Sequence, residues 1–536
     1  MKKLVSRFMA VLMAMTMILS MSMTAFAAEA SKGTLTVNNT VEGKTLDLYQ
    51  IFTATKNGDN VAYTLNSAYE GFFQSKITDA STLTGEALSE KAYDYVKTQV
   101  GTDGSNGAAF AKDIMGWILE NANTVADTHR TETTTAGSTV ISDLAYGYYV
   151  VYPLGATDTS AAPGEQDYTS VASLVSVTGD TSINMKSNYP TVVKKVNDKT
   201  ADDVNIGDTV TYTLTSKVPD MTGYTSYVFN FKDTLSAGLT FKEITSVTVG
   251  ETTITKVDAG QEANDTYTLT QTGQNITITM NNFLASNANK VGQEIKVTYT
   301  VTLNKDAVTG FDANKNSATV EYSNKPGTDN KGESEPSIVD VHTFNFTIFK
   351  YYLKGADKTG LANAEFELYK ANEAGDAADE NAKINIVDEG KGVYRQATAD
   401  EAKVTGFTSA KIVSDDDGKV LVKGLDAGSY YLRETKAPEG YNKLLSDIKI
   451  EIKPVYDETT GKLTSYSVDY TYNGTKTTGT AITSKDNSPE VAVENKTGAQ
   501  LPSTGSKGAL MVTLAGIVLF GALTASKAFG KKKANN

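Results

Sequence analysis

Residues 344–350 read Phe344-Asn345-Phe346-Thr347-Ile348-Phe349-Lys350. Phe344, Phe346 and Ile348 recur at every second position, the period of a strand with one buried face. Side chains two apart share a face, so Lys350 follows them toward the apolar side. Two other stretches end the same way. Glu434 follows Tyr430 and Leu432 at alternate positions, and Asn495 follows Val491 and Val493. Three polar residues, each closing an apolar alternation, are hard to explain as ordinary surface positions.

The same period-two pattern recurs along the chain. Thr209–Leu214, Ile276–Met280, Ile295–Leu303 and Lys419–Lys423 alternate between Gly, Asn and Asp turns. The aromatic content is mostly Tyr, 28 residues against one Trp, and Thr, Val and Gly are abundant. Such a composition favours strands, and the chain is expected to be mainly β. Ser89–Val100 and Ala108–Leu119 are the exceptions. Both carry apolar residues at helical spacing, with Ile114, Trp117 and Ile118 on one core-facing stripe. Boundaries are expected at Ser187-Asn188-Tyr189-Pro190 and within residues 323–340, which are rich in Gly, Pro, Ser and charge.

The chain has 536 residues, no Cys and a formal net charge of −13. Disulfides are impossible, so any covalent staple must use other chemistry. The acidic balance argues against nucleic acid as a partner. His129 and His342 are the only histidines and lie far apart in sequence. No metal cluster, nucleophile elbow or phosphate loop is present, so neither a cofactor nor an enzymatic site is expected. Ser414-Asp415-Asp416-Asp417-Gly418 reads as a solvated hairpin turn in preference to a calcium site.

Both termini read as targeting segments. Lys2, Lys3 and Arg7 precede an apolar run from Phe8 to Met23, and Ala25-Phe26-Ala27 offers a signal-peptidase site. Leu501-Pro502-Ser503-Thr504-Gly505 is followed by an apolar stretch to Ala525 and by Lys531-Lys532-Lys533. This order resembles the cell-wall sorting signal of Gram-positive surface proteins. There a sortase cuts between Thr and Gly, here Thr504 and Gly505, and passes the threonyl acyl group to an amine. The resemblance implies a secreted, peptidoglycan-anchored protein at the cell surface.

Gly360-Leu361-Ala362-Asn363-Ala364-Glu365-Phe366-Glu367-Leu368-Tyr369 and the run from Tyr430 to Tyr441 resemble the SpaA-type, collagen-adhesin B-like domains of sortase-assembled pilins. The second run also resembles the pilin E-box. In that family a Lys of the first strand bonds covalently to an Asn of the last, assisted by a Glu. The resemblance assigns these roles to Lys350, Asn495 and Glu434. The chemistry sets matching demands. The amine attacks only when neutral, so it must be desolvated, and the acid must be buried so that it stays protonated and polarises the amide.

Residues 189–340 resemble the middle domains of major pilins, where Lys, Asp or Glu, and Asn form a similar set. Val192, Lys194 and Val196 share one face, as do Phe229, Phe231 and Asp233, and Asn316, Ala318, Val320 and Tyr322. Lys194, Asp233 and Asn316 are the carry-over, with Lys195 and Asn314 as rivals. Alternation places Lys195 outward with Thr191 and Val193.

The first segment departs from this pattern. Asn39 stands where an inward Lys would fall after Leu35 and Val37, and Tyr152 stands opposite Glu434 when the Tyr pairs are aligned. No internal bond is expected there, although Gly43–Phe52 resembles the N-terminal domain of backbone pilins. A polymer also needs an exposed acceptor lysine, commonly in a Tyr-Pro-Lys context that this chain lacks. Ile183 and Met185 alternate inward, which leaves Lys186 outward as the substitute, with Lys195 second.

The expected architecture is tandem immunoglobulin-like β-sandwich domains of collagen-adhesin type, the first with a helical insertion. The segments are a signal peptide (1–27), an N-terminal domain (28–188), a middle domain (189–340), a C-terminal domain (341–498) and the sorting signal (499–536). The resemblance implies the backbone subunit of a pilus. Its partners would be identical subunits head to tail, a pilus sortase and a housekeeping sortase, minor pilins and peptidoglycan, with host glycoprotein or matrix as a further class. The alternative is a single-copy wall-anchored adhesin that does not polymerise.

Overall fold

The computed structural model describes residues 31–101, 107–157, 171–185, 188–221 and 223–498. The expected signal peptide, the sorting motif Leu501–Gly505 with its apolar stretch, and Lys186 lie outside the described residues. Among the described residues no helix is long and apolar enough to cross a membrane. The chain divides into two compact units, residues 1–343 with 456–464, and residues 344–455 with 465–536.

The fold is mainly β. In the first unit, Lys32–Thr40 is the centre of a three-stranded sheet, antiparallel to Gly137–Ala145 and parallel to Thr181–Asn184. A second sheet holds Asn60–Leu65, Thr45–Asn57, Gly147–Pro153 and Ser173–Val177 in that order. Every residue of Gly147–Pro153 is buried, because the strand is covered on both faces. Tyr149 and Val151 pack with Leu35 and Val37 of the small sheet. Tyr148, Val150 and Tyr152 pack beneath the helices Glu70–Lys76, Gly85–Val100 and Gly107–Glu120. Trp117 is half-buried there against Tyr69 and Phe72.

Asn39 does not occupy the inward position that alternation gives it. The register slips between Asn38 and Thr40, Asn39 takes a φ of 61°, and its side chain is exposed while Thr40 is buried. A bulge adds one residue and resets the facing, and Asn tolerates the left-handed backbone it needs.

Residues 192–341 build a core of their own between two facing sheets. One runs Thr252–Thr253, Leu239–Val249, Glu294–Leu303, Thr209–Lys217, Val193–Val196. The other is centred on Ser337–His342, Asn314–Ser323, Phe229–Leu235 and Asn275–Met280. Tyr212 and Leu214 of the first sheet and Phe229 and Phe231 of the second belong to this one core.

In the second unit, Phe344–Lys354 lies between Lys419–Leu425, antiparallel, and Glu490–Glu494, parallel. The facing sheet contains Glu365–Ala371, Gly428–Lys436 and Ile448–Tyr456. The turn at Asp415–Gly418 rests on Lys350, whose N–H donates to the Gly418 carbonyl at 2.7 Å. Gly418 has a φ of 75°, and a Cβ there would collide with the Lys350 carbonyl oxygen, so glycine is required. Asp415 Oδ1 accepts the N–H groups of Asp417 and Lys419, which accounts for the acidic run as a turn.

Candidate functional site

In the second unit the alternations converge as the strand period demands. Glu490–Glu494 pairs in parallel with Phe344–Lys354, Val493 lies opposite Lys350, and the Asn495 N–H donates to the Tyr351 carbonyl at 2.9 Å. Glu434 arrives from the facing sheet on Gly428–Lys436. Lys350 is 0 % exposed, and Glu434 and Asn495 are each 2 % exposed. Lys350 Nζ is 2.9 Å from Glu434 Oε1 and donates to Asn495 Oδ1. Asn495 Nδ2 donates to Glu434 Oε1 at 3.0 Å, and the Leu444 N–H holds Oε2 at 2.7 Å. The Phe366 ring closes the floor 5.5 Å below Nζ. Burial lowers the Lys350 pKa from 10.5 to about 8, against the opposing pull of Glu434.

The second set forms within residues 192–341 with a different topology. Lys194 sits on Val193–Val196 in one sheet, while Asp233 and Asn316 sit on neighbouring strands of the other. Lys194 and Asp233 are each 2 % exposed and Asn316 is 0 %. Lys194 Nζ donates to Asp233 Oδ2 and to the Tyr299 hydroxyl, the latter at 2.6 Å. Tyr299 donates to Asp233 Oδ2 at 2.6 Å, and Asn316 Nδ2 donates to the Tyr299 oxygen at 3.0 Å. Tyr212 stacks on Tyr299 with centroids 5.4 Å apart. Burial lowers the Lys194 pKa to about 8, again opposed by the acid.

The rivals fall to other roles. Lys195 is exposed. Asn314 is buried, but its side chain is committed to backbone, accepting from Val308 N and donating to the Val308 and Val341 carbonyls. Lys186, the expected acceptor, lies outside the described residues; upstream of it Met185 is buried and Ile183 packs on the same core.

Tyr299 and Tyr212 escaped the sequence reading. They lie directly opposite each other on two strands that alternation identifies, so a matched pair of inward tyrosines was the available signal. A Tyr inside an apolar alternation reads as core, and its hydroxyl has no periodicity of its own.

A further Lys, Glu and Asn meet on the outer face of the same sheet. Lys232 Nζ is 2.7 Å from Glu321 Oε2, and Asn230 Nδ2 donates to Glu321 Oε1 at 2.8 Å. Here the hydrogen bond to Glu321 raises the Lys232 pKa, and its side chain is 37 % exposed. Proximity alone is therefore insufficient. A charged, solvated ammonium has no lone pair with which to attack, whereas burial lowers the pKa of the two buried lysines to about 8, so that a large fraction of each amine is neutral there. On a freshly folded chain, closure of both buried pairs should accelerate as pH rises and level off above about 8, as each amine loses its proton. Mass spectrometry of samples quenched at pH 6 to 10 checks this, and a flat profile would count against it.

Residues 351–467 match the SpaA prealbumin-like fold domain, and residues 206–326 match the Cna-B-like domain of Gram-positive pilin backbone subunit 2. Glu434 lies inside the first match; Asp233 and Asn316 lie inside the second. The chain is 27% identical over 349 residues to the trypsin-resistant surface T6 protein of Streptococcus pyogenes serotype M6, covering 58% of this chain and 53% of that one. It is 29% identical over 279 residues to fimbrial subunit type 2 of Actinomyces naeslundii, covering 49% and 50%. It therefore spans about half the length of these relatives. Among solved structures it resembles the three-domain T6 backbone pilin of serotype M6 S. pyogenes, with a TM-score of 0.47 at 16% identity, covering 88% of this chain and 100% of that one.

Proposed function

We propose that this chain is the structural backbone subunit of a covalently polymerised pilus on a Gram-positive cell surface. The observation that carries the reading is the pair of buried Lys, acid and Asn sets associated with two pilin-type domains. In each set the neutral amine would attack the Asn side-chain carbonyl carbon. A new Lys–Asn amide forms, the C–Nδ2 bond breaks, and one ammonia leaves. In the second unit Glu434 touches both the attacking and the leaving nitrogen, so as a carboxylate, in place of the protonated acid expected from sequence, it can take the proton from one and return it to the other. The domains proposed from sequence, 28–188, 189–340 and 341–498, would be the building blocks, with bonds in the last two.

Assembly in this reading uses the segments outside the described residues. A pilus sortase would cleave between Thr504 and Gly505 of the Leu501-Pro502-Ser503-Thr504-Gly505 motif. The threonyl carbonyl would pass to the Lys186 amine of the next subunit. Donor and acceptor differ, so the contact is head to tail and yields an open filament. A housekeeping sortase would then join the finished polymer to peptidoglycan, and minor pilins would decorate it.

Lys186→Ala should abolish the high-mass ladder in wall extracts and leave monomer attached through Thr504, while Thr504→Ala should remove both. A ladder that persists in Lys186→Ala moves the acceptor to another lysine, Lys195 first. Wild-type cells that yield monomer alone would overturn the backbone reading in favour of the adhesin.

A further inference from the structure

The two sets solve one chemical problem with different parts. Glu434 alone spans the second-unit set, its Oε1 lying 2.9 Å from Lys350 Nζ and 3.0 Å from Asn495 Nδ2. Asp233 is one methylene shorter. Its Oδ2 meets Lys194 Nζ and the Tyr299 hydroxyl, its Oδ1 is buried without a partner, and Asn316 Nδ2 donates to Tyr299 instead. The Tyr299 oxygen thus touches both reacting nitrogens, 2.6 Å from Lys194 Nζ and 3.0 Å from Asn316 Nδ2. It occupies the place that a longer carboxylate fills in the other set.

We infer that Tyr299 is a catalytic residue for Lys194–Asn316 bond formation, relaying a proton from Asp233 to the departing Asn316 nitrogen. The inference rests on the proposal that Lys194 and Asn316 become joined. The lone pair of neutral Lys194 Nζ forms the new bond to Asn316 Cγ, and the amine proton passes to Oδ2 of Asp233, which acts here as the carboxylate that accepts from Tyr299 and not as the protonated acid expected from sequence. Tyr299 gives its hydroxyl proton to Nδ2 and regains one from Oδ2. The Cγ–Nδ2 bond then breaks and ammonia leaves, with Asp233 and Tyr299 restored. The hydroxyl is already aligned for this role, because it donates to Oδ2 and accepts from both nitrogens. Its ring is held by Tyr212, stacked at 5.4 Å, and by Phe241 at 6.1 Å. Complete burial next to Asp233 keeps the phenol protonated, as a relay requires.

The test follows ammonia loss by intact mass in the full ectodomain from synthesis onward. Wild type should lose two ammonias. Tyr299→Phe removes only the hydroxyl and should lose one ammonia at the parental rate, from the second unit, and the other about 10²-fold or more slowly. Adding Asp233→Glu to Tyr299→Phe supplies a longer carboxylate and should restore much of the lost rate, which a purely structural role for Tyr299 would not allow. If Tyr299→Phe is too unstable to isolate, a double variant that folds and loses both ammonias still supports the relay; failure of that variant to close the bond overturns it. Loss of both ammonias by Tyr299→Phe at the parental rate also overturns the inference. A wild type whose mass is unchanged by Lys194→Ala, apart from the substitution, would instead sink the underlying reading of the pair.

Discussion

An Asn495→Ala ectodomain is expected to retain one ammonia that the parent loses and to unfold more easily by roughly 2–5 kcal/mol, by analogy with loss of a long-loop disulfide. The expectation follows from where Asn495 sits. It is 2 % exposed, beside an amine whose pKa burial lowers to about 8 and an acid that touches both nitrogens. Closing the Lys350–Asn495 pair would enclose nearly the whole second unit in one covalent loop, and such a loop restricts the unfolded ensemble most when it is long. Intact mass and urea melts check the two halves separately. A variant as resistant to urea and trypsin as its parent would remove the stabilising role even if the mass changed.

The second large effect is expected from Asp233→Ala. The Lys194–Asn316 bond should fail to form, and Lys194 would be left in the core without its acid. Losing one partner of a buried pair typically costs about 3–5 kcal/mol, in addition to the lost tie. The unreacted amine also gives the variant a pH signature. Burial is the main cause of the lowered Lys194 pKa, and Asp233 opposes it, so removing Asp233 leaves the amine at about 8 or below against an ordinary 10.5. Between those values the unfolded chain binds a proton that the folded chain does not. Stability of the variant should therefore rise with pH from that lowered value toward 10.5, and the penalty should be complete only below it. The parent, its amine consumed, should lack this rise. Denaturant melts at pH 7, 9 and 10 decide it, and parallel curves for the two proteins would refute the assignment.

The buried sets were legible because strands write facing into sequence with a period of two. Lys350, Glu434, Asn495, Asp233 and Asn316 each close or open an apolar alternation, Lys194 interrupts one between Val192 and Val196, and each is buried where that pattern puts it. The pattern fails where the backbone breaks its own period. At Asn39 a bulge shifts the facing by one residue, and nothing in Val37-Asn38-Asn39-Thr40 marks it in advance. The short helix Glu70–Lys76 also went unread, because its seven residues give too few turns for a stripe to emerge. Tyr299 was hidden in plain apolar alternation. The difference between the two ties was hidden more deeply. Which strands become neighbours depends on long-range pairing, so sequence could place Lys194 inward but not on the opposite sheet from Asn316.

That last difference has a mechanical meaning. In the second unit, Lys350 and Asn495 lie on adjacent parallel strands near the points where the chain enters and leaves, so a bond between them would leave almost no slack. The proposed Lys194–Asn316 bond would be followed by residues 317–343, which include the strands Lys331–Glu333 and Ser337–His342. These are held by hydrogen bonds and by core packing of Val339 and Val341, with no covalent tie beyond Asn316. Under tension that tail of about 27 residues could peel away and lengthen the molecule by at most roughly 90 Å before the covalent path became taut. A filament of such subunits would behave as a stiff line with a short, renewable shock absorber in every repeat. Force spectroscopy on the ectodomain should then show one limited extension step that lengthens markedly in Asn316→Ala, and an unchanged step would place the compliance elsewhere.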